Sequence, residues 1–197
     1  MIEWINFIAF LVSYFLFLFL YLFSIQPMKR EQKRGEKAWE ECKKIRMICG
    51  IFEMTTLITL LLWIPFPIDS LHWKIADSYV PLIIITIILM IPLTLIMTKG
   101  IKDAGSETLM PSKETEMYGG IYEYIRHPQT LGEFPMFVAF ALLTNTWFLV
   151  ILNIIVILIY TPIMVYFEEK DLTLRFGDKY REYQKRTGAL FPKFWNK

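Results

Sequence analysis

Three long stretches of this chain carry no charged side chain: residues 4–28, residues 78–98, and the 34 residues 134–167 between Glu133 and Glu168. A fourth, residues 47–68, carries only Glu53. A membrane helix needs about 20 mostly apolar residues to cross about 30 Å of hydrocarbon. The pattern predicts helices over 2–24, 45–64, 80–98, 129–144 and 147–167, with an amphipathic helix over 168–186. The run 134–167 is too long for one crossing. It breaks at Thr144-Asn145-Thr146, where two helices can turn. A chain that crosses and returns brings the polar residues before 133 and after 168 to the same face. At about 1.5 Å per residue the segment 129–144 spans only about 24 Å, making it the shortest of the set.

These elements describe an all-α polytopic membrane protein. It has about five transmembrane helices, a C-terminal helical hairpin and a cytosolic amphipathic tail helix. Residues 1–197 read as a single integral membrane domain, with three membrane-spanning helices in 1–100. Residues 2–24 are too long an apolar run for a signal peptide and have no positive cluster before them or small-residue cleavage site after them.

Composition agrees: of 197 residues, 55% are hydrophobic and 16% aromatic. The net charge of +2 conceals an asymmetry, because 20 of the 21 Lys and Arg residues fall in alternate loops and the tail, and Lys74 alone lies in the remaining loop. Cytoplasmic loops carry the Lys/Arg excess, so the N-terminus is expected outside and the C-terminus inside. The basic runs are interleaved with Glu31, Glu36, Glu40 and Glu41. That mixture suits topology and attraction to membrane lipids, and not nucleic acid. Trp4, Trp63, Trp73 and Trp147 then fall at the outer interface and Trp39 and Trp195 on the inner side, as an aromatic belt requires. Cys42 and Cys49 lie about two helical turns apart, too far for a disulfide. No metal-ligand spacing occurs, and no nucleotide-binding glycine motif, P-loop or serine elbow is present.

Two polar clusters remain. In the first, Arg126-His127-Pro128 precedes a helix at which Pro128 takes an early position. In the second, Glu168-Glu169 ends the last apolar span, and Leu172, Phe176, Tyr180 and Tyr183 follow at roughly helical spacing. Taken singly, Arg126 is a snorkelling cation and the Glu pair a solvated helix end. Glu53 is an ionisable group in an apolar helix, which is costly and usually has a partner.

Together the clusters are more specific. Gly120, Tyr122, Tyr124, Arg126, His127 and Pro128 form one half of a pattern. The other half is Glu168, Glu169, Leu172, Phe176, Gly177, Tyr180 and Tyr183, with Pro192 near the end. The pattern resembles the integral membrane methyltransferases typified by isoprenylcysteine carboxyl methyltransferase, with phospholipid N-methyltransferases as relatives. The resemblance covers about residues 114–195. It implies S-adenosylmethionine as cofactor, S-adenosylhomocysteine as product, and residues 101–197 as the cofactor-binding catalytic half. It assigns cofactor contact to Thr115, Met117, Tyr122, His127, Pro128, Gln129, Thr130 and Glu168. Arg126 and Glu168 are the expected catalytic residues, and Glu169 braces the pocket beside Arg126. The implied acceptor is a prenylated cysteine carboxylate or similar lipid-like molecule entering from the bilayer, with no obligate protein partner. Amine N-methylation is the enzymatic alternative, and a non-catalytic membrane module the other. Two positions depart from the family pattern: Thr130 stands where a Tyr is common, and Met164 where carboxyl methyltransferases have an acceptor-orienting Arg.

Overall fold

The computed structural model describes residues 1–117 and 119–193; Trp195, expected on the inner side, lies outside them. The described residues form helices joined by turns, with no strand beyond two isolated bridges, Lys74 to Thr146 and Ile125 to Gly188. The helices are α1 (Ile2–Ser24), α2 (Pro27–Arg34), α3 (Lys37–Leu61), α4 (Tyr79–Ala104), α5 (Pro128–Leu143), α6 (Trp147–Phe176) and α7 (Asp178–Arg186). Short 3₁₀ turns occupy Gly105–Thr108 and Gly120–Glu123. Among the described residues, three segments are long and apolar enough to cross a membrane: Ile2–Ser24, Tyr79–Thr108 and Trp147–Phe176. The outward side chains of α4, among them Ile84, Ile87, Ile88, Ile91 and Leu95, are exposed and apolar. A helix apolar on its outer face is built to meet lipid.

Three features differ from the sequence pattern. The basic segment after α1 folds into α2, whose first turn is capped from another helix: Asp171 accepts from the N–H of Met28 at 3.2 Å and of Lys29 at 2.7 Å. Helix α3 begins at Lys37, eight residues ahead of the apolar run, because Lys, Ala, Glu and Arg are good helix formers. No break occurs at 168 either. Helix α6 continues to Phe176 and stops at Gly177, whose φ of 59° lies in the left-handed region. The expected tail helix 168–186 is therefore the end of α6 followed by α7.

Helices α1 and α3 run antiparallel, and Asn6 donates to the Thr59 carbonyl at 2.9 Å while Thr56 donates to the Ser13 hydroxyl at 3.1 Å. In lipid, helices associate by packing and hydrogen bonding, because the surrounding tails are as apolar as the side chains. Phe137 of α5 accordingly stacks between Tyr14 (5.4 Å) and Phe17 (5.9 Å) of α1. At one end of the bundle the Thr144–Thr146 turn is fastened to the α3–α4 loop. Asn145 adopts φ 54°, and its side chain accepts from Ile75 and Ala76 while donating back to Ala76. Thr146 accepts from the Trp63 indole at 3.0 Å. Rings link Trp4, Phe7, Trp63, Phe148 and Trp73 at this end, and Trp147 donates to the Trp73 carbonyl. Trp39 lies at the other end, bonded to Glu31.

Helices α4 and α5 pack closely, and small residues permit it. A Cβ at Gly132 would stand 2.7 Å from the Met97 backbone nitrogen and 2.8 Å from the Leu93 carbonyl oxygen. Backbone cannot rotate away, so Gly132→Ala forces the helices apart. The expected cost is about 1–3 kcal/mol, read as a lower thermal unfolding midpoint in detergent. Gly50→Ala meets nothing within 4 Å and serves as the control. An unchanged midpoint for Gly132→Ala refutes the close approach.

Candidate functional site

The α5–α6 turn returns the chain to the end opposite the tryptophans, so the two polar clusters meet. Pro128 opens α5 at its first turn, leaving His127 at the cap position. The His127 ring, 5% exposed, bridges two carboxylates of α6: Nδ1 lies 2.8 Å from Glu168 and Nε2 3.0 Å from Glu169. Adjacent helix residues diverge by about 100°, and an imidazole with nitrogens on opposite sides of its ring spans that divergence. Arg126 closes the other side of Glu169, with both Nε and Nη2 at 2.6 Å from Oε1. The remaining Arg126 nitrogen donates to the carbonyls of Gln184 and Thr187. Gln184 also donates to Glu169 at 2.8 Å. The segment after α7 is held against the same loop: Arg126 and His127 donate from their backbone nitrogens to Gly188 and Ala189 at 2.9 and 3.0 Å.

Burial disfavours the imidazolium of His127, but the Glu168 charge and hydrogen bonds to Glu168 and Glu169 outweigh it and raise its pKa from 6.5 to about 9.

A cleft of about 710 Å³, counted to its open mouth, lies beside this clamp. Tyr122, Arg126, His127, Pro128, Gln129, Thr130 and Glu168 all line it. Gln129 donates to Tyr122 Oη at 2.8 Å and to Thr108 at 2.9 Å, and Tyr122 donates to the Gly100 carbonyl at 3.2 Å. Two of the predicted residues stand elsewhere. Thr115 contributes a carbonyl that accepts from Arg175 at 3.0 Å. Met117 lies in separate hollows with Tyr183. Met164 is fully buried in the core.

Several lining residues escape the sequence motifs. The first half of the chain supplies Tyr21, Ile25, Pro27 and Arg46. Arg46 donates to the carbonyls of Glu107, Thr108 and Ser24, each at 3.0 Å, and pins the loop after α4 to α1. Glu107, buried, accepts from Arg175 at 2.7 Å and from the Ser112 N–H at 3.0 Å. Arg175 also donates to the Ser112 carbonyl. Glu168, Asp171, Leu172 and Arg175 follow i, i+3, i+4, i+7 spacing, so one face of a continuous α6 presents all four. That signal was available, but only to a reading that carried α6 past residue 168. Nothing local marks Glu107. Among the described residues no His, Cys, Asp and Glu grouping suits a metal.

Residues 79–179, which carry both halves of the clamp, match the phospholipid methyltransferase family. The chain belongs to this family. Its membership and the three apolar helices make it an integral membrane protein, and methyltransferase membership implies a methyl donor of the S-adenosylmethionine type. The chain is similar to methanethiol S-methyltransferase 1 of Bradyrhizobium diazoefficiens (26% identity, covering 89% of this chain and 65% of the relative). It is also similar to methanethiol S-methyltransferase of Pseudomonas deceptionensis (27%, covering 89% and 71%). It thus spans about two thirds of the length of the curated relatives it matches.

The pKa of His127 is raised on folding, so its contribution to stability is complete below about 6.5 and is lost as pH rises through about 9. Thermal midpoints in detergent are expected to fall across that window in the native protein. In His127→Gln the fall attributable to this group should vanish; an unchanged pH slope refutes the charged clamp.

Proposed function

We propose that the chain is an S-adenosylmethionine-dependent membrane methyltransferase whose acceptor is a neutral thiol or amine reaching the cleft from the bilayer. One observation carries this choice: the guanidinium groups lining the cleft already hold carbonyls or a carboxylate, and the Nε groups of Arg46 and Arg175, which have no partner among the described residues, are buried. Arg126 is held by Glu169 and two carbonyls, Arg46 by three carbonyls, and Arg175 by Glu107 and two carbonyls. Met164 stands at the position of the acceptor-orienting Arg. A prenylcysteine carboxylate, the acceptor implied by the resemblance, therefore meets no such Arg here. The family's phospholipid methyltransferases and the thiol named in both relatives favour protic nucleophiles.

The residues present fit the donor. Glu168 uses Oε2 on His127, and its Oε1 has no protein partner among the described residues. That oxygen suits an ammonium or ribose hydroxyl. Tyr21 and Thr130 line the cleft, and their hydroxyls make no hydrogen bond among the described residues. When bound, S-adenosylmethionine supplies a methyl group on a cationic sulfonium. The chain's own task is alignment and exclusion of water, with Ile25, Ala104 and Leu172 as apolar walls. The clamp pre-positions Glu168 by fixing one of its oxygens. We also propose five crossings, with α3 and the short α5 completing the count. In this topology the N-terminus is outside and the site and C-terminus cytoplasmic, and residues 1–197 form one membrane domain.

The test supplies purified protein in lipid with labelled S-adenosylmethionine and, separately, methanethiol, phosphatidylethanolamine and a prenylcysteine. Label is expected in the thiol or the amine. Label confined to the prenylcysteine overturns the acceptor assignment. Hydrogen bonds to charged groups contribute about 1.5–3 kcal/mol, so Glu168→Ala and His127→Ala are each expected to weaken S-adenosylhomocysteine binding more than about tenfold. Normal binding by either variant overturns the donor site.

A further inference from the structure

Behind the cleft, two carboxyl groups lie in apolar helices with no partner. Glu53 of α3 and Glu133 of α5 are half-buried, and neither makes a hydrogen bond or ion pair among the described residues. Helices α3 and α5 pack together, which places the two carboxyl groups near each other. Cys49, Glu53, Thr56 and Leu60 share the inward stripe of α3. Phe137, one turn beyond Glu133, packs on α1. Both carboxyls thus face the interface of α1, α3 and α5. An ionisable group inside a membrane helix is costly and is usually matched by a partner or a function.

A second observation ties the pair to a ligand. Thr130, one turn before Glu133, is only 7% exposed and lines the cleft, and its hydroxyl makes no hydrogen bond among the described residues. Tyr21 lines the cleft from α1, also with a hydroxyl that makes none among the described residues, and lies near Glu168, Glu133, Arg46 and Glu53. A file of unsatisfied polar groups therefore leads from the free oxygen of Glu168 past Thr130 and Tyr21 to Glu133 and Glu53. The titratable groups near Glu133 are Tyr21 from α1, Cys49 and Glu53 from α3, and Tyr160 from α6. Helix α4 adds none between Tyr79 and Lys99.

We infer that this file is the acceptor side of the site and that Glu133, with Glu53 beside it, takes the proton the acceptor loses. The inference rests on the methyl-transfer reading above. A neutral thiol or amine X–H gives its proton to a Glu133 carboxylate oxygen. The electron pair left on X forms the X–CH3 bond, and the donor's S–CH3 bond breaks with its pair returning to sulfur. The carboxylate and sulfonium charges are both neutralised, so no net charge is left in the apolar interior. Glu168 is held by His127 for the donor, which leaves the deeper pair for the acceptor.

The experiment compares wild type, Glu133→Gln, Glu53→Gln and Glu133→Asp in lipid. It measures S-adenosylhomocysteine affinity by calorimetry and the pH profile of transfer to methanethiol and phosphatidylethanolamine. Positioned acid–base groups contribute about 10²- to 10⁴-fold. Glu133→Gln is expected to lose rate in that range and the rising acid limb of the profile, while S-adenosylhomocysteine affinity stays within about twofold, by the same separation of proton transfer from donor binding. Glu53→Gln is expected to shift the limb, and Glu133→Asp to restore part of the rate. A wild-type rate and acid limb in Glu133→Gln overturns this inference alone, as does a parallel loss of S-adenosylhomocysteine binding. Wild-type protein that binds no S-adenosylhomocysteine overturns the methyl-transfer reading with it, and wild-type protein that methylates neither probe overturns the acceptor assignment with it.

Discussion

The His127 ring is gripped from both sides by neighbouring carboxylates of one helix, and the site end of the bundle is arranged around that grip. Imidazole is the side chain that fits, because its two nitrogens point in nearly opposite directions and both donate when it is charged. Glu168 and Glu169 diverge around α6, so only a bridging group set between them can engage both. Pro128 starts α5 directly after His127 and leaves the imidazole at the helix entrance. Arg126 then compensates Glu169 and reaches the carbonyls that end α7. One cluster thereby joins the α5 entrance, the end of α6 and the C-terminal segment. Two cations face two carboxylates, so the cluster is close to neutral overall, which lowers the cost of burying it.

The same economy shapes the cleft. Arg46 and Arg175 spend their donors on backbone carbonyls and on Glu107, which orders a loop that has little apolar packing of its own. Their hydrogen bonds fix the wall. Apart from the buried Nε groups of Arg46 and Arg175, the open polar atoms among the described residues are acceptors and hydroxyls: one oxygen of Glu168, Thr130, Tyr21 and the two carboxyls behind them. A pocket with this bias receives groups that donate hydrogen bonds. It offers little to an anion.

Close helix contact makes the geometry possible. Gly132 and Gly100 let α5 lie against α4, so the turn carrying Gln129 and Thr130 reaches the cleft. Gly120, at φ 65°, leaves room for Asp103, whose carboxylate accepts from Ile121 at 2.8 Å and anchors the loop before the clamp. At the opposite end Asn145 takes a left-handed conformation that Asn tolerates better than most residues. Its amide then substitutes for the backbone bonds that a tight turn leaves unmade.

By itself, the sequence determined the helical class, the long apolar helices, the turn at Thr144–Thr146 and the meeting of the 126–128 and 168–169 clusters. Each follows from local periodicity, charge or the parity of crossings, which act over a few residues or one helix length. The continuity of α6, the fold of α2, and the roles of Arg46, Glu107, Asp171 and Arg175 were decided only in three dimensions. Asp171 caps a helix more than 140 residues away in the chain, and Glu107 meets Arg175 across 68 residues. Such contacts leave no periodic trace, because the partners are brought together by helix packing and not by spacing. The same holds for Glu53 and Glu133: each is an isolated acid in an apolar run, and only the packing of α3 against α5 makes them a pair.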